Sequence, residues 1–85
     1  MSGSARMEIA VYPLGTGDTS VSREVSRVFD VLDRSGLPYQ VTVMGTVVEG
    51  GTDALFTLAR DLHAIMFGDT VNRVVTVIRI DERRV

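Results

Sequence analysis

Apolar positions along the chain repeat first with a period of two, then near 3.6, and the two periods go on to exchange. Met7 to Tyr12 (MEIAVY) alternates and is rich in strand formers, and Pro13, Gly15 and Gly17 then break the run, which predicts a strand followed by a loop. From Val21 the apolar residues are Val21, Val25, Val28, Phe29 and Leu32, a spacing that gathers them on one helical face. Ser20 is placed to act as N-cap and Gly36 as the left-handed residue after the last turn. The β-branched valines lower intrinsic helix propensity, so this helix needs a sheet to pack against.

Pro38 restarts an extended chain. Tyr39 to Met44 and Thr46 to Glu49 read as two short strands hinged at Gly45, either a hairpin or one long strand bent by a bulge. Gly50 and Gly51 end the pairing, and Thr52 can cap the next helix. Its apolar face is Leu55, Leu58, Ala59, Leu62 and Met66, and Gly68 stops it. Arg73 to Ile80 (RVVTVIRI) is the last strand. The order is βαββαβ, without repeats or low-complexity stretches. It predicts an α+β ferredoxin-like sandwich: an antiparallel sheet with its first and third strands central and two helices on one face.

That last strand carries Val75 and Val77 on one side and Val74, Thr76, Ile78 and Ile80 on the other. Helices can cover only one face of a two-layer sandwich, so the other apolar face predicts sheet-to-sheet association between copies. Size points the same way, because a domain of 85 residues buries only roughly 60% of the surface its unfolded chain exposes. A homodimer or homotetramer is therefore expected.

Composition narrows the function classes. With 45% hydrophobic and 24% charged residues the chain is globular and not disordered. A formal charge of -2 and a pI near 5.2 argue against a nucleic-acid partner, and Arg83 with Arg84 reads as a solvated chain end. Zero cysteines exclude disulfides, thiolate metal sites, iron–sulfur clusters and a cysteine nucleophile. No apolar stretch approaches the roughly 18 residues of a membrane span, and no signal segment is evident, so a cytoplasmic protein without membrane contact is expected. Met1 to Arg6 (MSGSAR) reads as a flexible leader before a single domain over 7–85.

Few residues suit chemistry. Pro13 to Ser20 joins a strand to a helix N-terminus, where backbone N–H groups can hold an anion, but it lacks the Lys of a Walker A loop and the third Gly of a dinucleotide fingerprint. Asp18 would oppose a phosphate there. His63 is the single histidine and falls one position off the second helix's apolar stripe, which predicts a helix-flank residue and not a metal ligand. Glu49 stands out in a strand otherwise poor in charge. A carboxylate beside a sheet can accept a hydrogen bond from a ring N–H or an exocyclic amine, or balance a cation. Tyr12, Tyr39 and Met44 could supply flat or polarisable contacts to such a ring.

The run Val11-Tyr12-Pro13-Leu14-Gly15-Thr16, then Thr19-Ser20-Val21-Ser22, Tyr39, Met44-Gly45-Thr46 with Glu49, and the closing Ile80-Asp81-Glu82-Arg83-Arg84 resemble the thiamine-binding (YkoF-like) family of small ferredoxin-like proteins. The resemblance covers about Met7 to Arg84. It implies dimers or tetramers assembled through the sheets and binding of thiamine or its hydroxymethylpyrimidine moiety. It also implies ligand contacts from Thr16 and Ser20 in the first loop and from Met44, Gly45, Thr46 and Glu49 around the hairpin, with Tyr39 beside them.

The function expected is thus non-catalytic binding of thiamine or a related pyrimidine by a homo-oligomer, in a carrier, storage or sensor role, without a cofactor. One alternative is an interaction module whose sheet face serves only assembly. Another is an acylphosphatase-type enzyme, disfavoured because no Gly-rich phosphate loop with a positioned Arg follows the first strand.

Overall fold

A computed structural model describes residues 4–14, 22–68 and 71–84. Its elements are β1 (Ala5–Leu14), α1 (Ser22–Ser35), β2 (Tyr39–Thr42), β3 (Gly45–Gly50), α2 (Thr52–Ile65) and β4 (Arg73–Glu82). The four strands form one antiparallel sheet in the order β2-β3-β1-β4, with β3 and β1 central. This is the βαββαβ ferredoxin-like sandwich that the periodicity predicts.

Alternation puts odd-numbered β1 residues under the helices. Ala5, Met7 and Ile9 join Val48 of β3, Leu32 of α1 and Leu55, Leu58, Ala59 and Leu62 of α2 in a core whose members are all at most 4% exposed. Each large aliphatic side chain buried this way contributes roughly 1.5–3 kcal/mol. The α2 stripe is the predicted one. In α1, Leu32 is fully buried and Val28 and Val31 pack at its sides, but Phe29 is 38% exposed. Ser20 and Val21, the expected start of that helix, lie outside the described residues.

Both long strands exceed their predicted bounds. β1 and β4 pair along ten residues each, from Ala5 opposite Glu82 to Leu14 opposite Arg73. Ala5 and Arg6, assigned to a leader by composition, are therefore strand residues, and Ala5 is buried. Pro13, expected to end β1, sits inside it opposite Val74. The reason is that β3 pairs with β1 only from Ala5 to Ile9, so the N–H that proline lacks belongs on an edge with no neighbouring strand among the described residues.

The hairpin reading prevails over the bent strand, with its turn at Val43 and Met44. The Thr42 hydroxyl pins that turn, donating to the Gly45 carbonyl (2.8 Å) and accepting the Met44 N–H (3.2 Å). Gly45 is the first residue of β3. Its φ is +148°, and a Cβ there would lie 2.7 Å from the Ile9 carbonyl oxygen, so only glycine fits.

Gly36 ends α1 at φ +72° as expected. At α2 the cap differs from expectation: Gly51, in extended conformation, is the N-cap, its carbonyl accepts the Leu55 N–H at 3.0 Å, and Thr52 is the first helical residue. No helix among the described residues is long and apolar enough to cross a membrane.

Candidate functional site

The unequal strand lengths shape the site. Because β3 stops pairing at Ile9 while β4 follows β1 to Leu14, the second half of β1 has a bare edge beside the β2–β3 turn. The resulting notch has α1 and α2 as its floor and holds a cavity of about 360 Å³. Val11 and Tyr12 line one wall, Met44, Gly45 and Thr46 the other, and Phe29 the floor. Tyr12 is 50% and Met44 74% exposed, so the cavity opens to solvent between two apolar lips. No described residue lining it is charged, which favours a flat and neutral group over an anion or cation.

The sheet face away from the helices is divided. At one end Arg6, Glu8, Glu49, Arg79 and Asp81 form a charged patch around a shallow depression. Arg6 sits between Glu49 and Asp81 in the register and Glu8 opposite Arg79, yet among the described residues of the patch the only closed ion pair is Arg6 Nη2 to Glu49 Oε1, at 2.8 Å. At the other end Ala10, Tyr12, Val75 and Val77 form an apolar patch, with Val75 39% and Val77 49% exposed.

Met44, Gly45 and Thr46 thus come together at the notch with Tyr12 on its other wall, while Tyr39 and Glu49 lie apart from it. Thr46 and Glu49 are three residues apart on one strand, and an odd separation puts them on opposite faces of the sheet. Tyr39 turns toward the helices, where its hydroxyl donates to Asp33 Oδ1 at 2.6 Å. That hydrogen bond to a carboxylate raises the phenol above its ordinary value. Thr16 and Ser20 lie outside the described residues.

Val11 and Phe29 are cavity residues that periodicity alone assigns elsewhere. Phe29 falls at the margin of the α1 stripe, and a large aromatic at a stripe margin is the signal that could have marked it. His63 does lie on the helix flank: its Nδ1 is 2.7 Å from the Thr76 hydroxyl and its ring meets Phe67 edge-on at 5.4 Å, tying α2 to β4. A wider groove of about 750 Å³ runs between the outer sides of α1 and α2, bordered by Arg34, Asp53 and Asp61, and contains none of the candidate ligand residues.

Against this geometry the likenesses to known proteins are informative. The UPF0045 protein of Methanocaldococcus jannaschii is 36% identical over 77 residues, covering 91% of this chain and 75% of that one. UPF0045 protein YqgV of Bacillus subtilis is 36% identical over 81 residues, covering 91% and 78%. The M. jannaschii crystal structure superposes with a TM-score of 0.83 over 95% of this chain and 81% of the other, at 33% identity. A Thermotoga maritima structure, described as a candidate thiamine biosynthesis/salvage protein, superposes at 0.68 with 25% identity, over 94% and 84%. The profile of the thiamine-binding proteins matches residues 7–85. The chain belongs to the thiamine-binding protein family.

Proposed function

We propose that the protein binds thiamine or its hydroxymethylpyrimidine moiety without transforming it, as a homo-oligomer joined through the open faces of its sheets. The observation that carries this reading is the notch itself: a cavity of about 360 Å³ in a member of the thiamine-binding family, lined by Phe29, Met44 and Tyr12 and by no charged described side chain. Aromatic and thioether surfaces suit a flat heteroaromatic ring. A binding role is favoured over a catalytic one because the described lining offers only hydroxyls as polar side-chain groups and no acid–base pair.

The divided sheet face supports association with a second copy. Its apolar end provides burial, and its charged end, with both signs interspersed and a single closed pair, can complete its pairing across a two-fold axis. The resemblance assigns Thr16 and Ser20 to the ligand as well.

Calorimetric titration with thiamine, hydroxymethylpyrimidine and thiamine phosphates, alongside light scattering, tests both parts. Binding of the pyrimidine compounds to an oligomer is expected. A folded oligomer that binds none of them would leave assembly as the only role, and a folded monomer would remove the sheet interface.

A further inference from the structure

Inside a β-strand the N–H and C=O of one residue point to the same side, and successive residues alternate. The Ile9 carbonyl points toward β3, as its approach to Gly45 shows. Val11 and Pro13 have the same parity, so their backbone groups also point to that side, where no strand of the described residues pairs with them. The backbone groups of Ala10 and Tyr12 are engaged with β4, opposite Val77 and Val75. Pro13 has no N–H. Val11 is therefore the one residue on the described bare edge that offers both a donor and an acceptor, and it lines the cavity.

A half-buried backbone pair is costly to leave without a partner. Resting on the pyrimidine reading above, we infer that the Val11 N–H and C=O read the edge of the aminopyrimidine ring. The ring nitrogen accepts from the Val11 N–H, and the exocyclic amine beside it donates to the Val11 carbonyl, just as a neighbouring strand residue would. Phe29 and Met44 hold the faces of the ring. With no charged side chain in the described lining, the rest of a thiamine molecule, its cationic thiazolium included, points out of the notch toward solvent. Specificity then resides in the main chain and in where β3 stops, and not in a carboxylate.

Amide hydrogen exchange read by NMR on the full chain tests this directly, with hydroxymethylpyrimidine as probe. Without ligand the Val11 amide exchanges much faster than those of Ala10 and Tyr12, and saturating ligand slows it about tenfold or more. Calorimetry on the same sample separates the two levels of the reading. If the pyrimidine binds while Val11 exchange is unchanged, the Val11 contact is wrong and the binding function stands. If nothing binds, both fall. The analogue lacking the exocyclic amine should bind about tenfold or more weakly, because the Val11 carbonyl loses its donor, and equal affinity would overturn the inference. Val11→Pro removes the N–H from an edge with no strand partner among the described residues and should cost a similar factor with the melt showing a folded chain. An unfolded variant leaves the exchange measurement to decide.

Discussion

Arg6 of β1 and Glu49 of β3 meet at 2.8 Å across the open side of the sheet, with 65% and 52% of their side-chain surfaces exposed. A pair this open contributes about 0.2–1 kcal/mol and is weakened by salt. Glu49 is also on the face opposite Thr46, away from the cavity. Glu49→Gln is therefore expected to leave pyrimidine affinity within about twofold and to lower the melting temperature by no more than a few degrees. If copies associate through this face, it should also make their dissociation less sensitive to salt. A tenfold loss of affinity in a calorimetric titration would return this carboxylate to the ligand site.

Gly45 and Gly36 both have positive φ, but they differ in what surrounds them. A Cβ on Gly45 would strike the Ile9 carbonyl at 2.7 Å, whereas one on Gly36 would meet nothing within 4 Å. Gly36→Ala should therefore cost about 1–2 kcal/mol, the ordinary price of a left-handed alanine. Gly45→Ala adds a backbone collision and should cost more, about 2–4 kcal/mol, or roughly 10–25 °C of melting temperature in a domain this size. It should also open the notch wall and weaken pyrimidine binding. Equal melting temperatures for the two variants would contradict the close approach.

Much of this fold can be read from the sequence because hydrophobic period reports local structure. The α2 stripe from Leu55 to Leu62 and the two faces of β4 follow from it, and the break at Gly36 follows from a glycine placed after the last turn of α1. The strand alternation also separates Thr46 from Glu49, a consequence that motif order obscures by listing them together. The cavity is not legible in the same way. It exists because β3 is shorter than β1, and register between strands is a property of the pair that neither strand's own pattern contains. Pro13 reads as a stop signal for the same reason: it is tolerable within β1 because no described strand pairs on its β3 side. Thr52 reads as a cap because it follows two glycines, yet the extended Gly51 takes that role with its backbone alone.

Glu82 is the last residue of β4. Arg84 donates to its two carboxylate oxygens at 3.0 and 3.2 Å, and these hydrogen bonds, with a smaller influence of the Thr52 side chain, hold its carboxyl below the ordinary 4.5 despite the opposing effect of burial. A folded-state value below the unfolded one means that Glu82 adds stability above pH 4.5 and loses it as pH falls through the folded value. Glu82→Gln should therefore melt below wild type at pH 7, and the gap should close in the acid limb. A gap that stays constant from neutral to strongly acidic pH would show that the charge of Glu82 contributes nothing.

Val77 and Ile78 are neighbours on β4 that point to opposite faces, which makes them a matched pair for locating the interface. Val77 lies on the open face beside Ala10 and is 49% exposed; Ile78 lies on the helix side opposite Ile9 and is 40% exposed. An aspartate at either position places a charge on apolar surface of similar exposure, so the intrinsic cost to a lone chain should be comparable. If copies associate through the open faces, Val77→Asp buries that charge in the interface without a partner, a penalty of several kcal/mol repeated in each subunit. Light scattering should then find the Val77→Asp chain at 9.3 kDa, folded by circular dichroism, while Ile78→Asp remains oligomeric. The reverse pattern would move the interface to the helix side of the β4 edge, and dissociation by both would place it on the strand edge shared by the two residues.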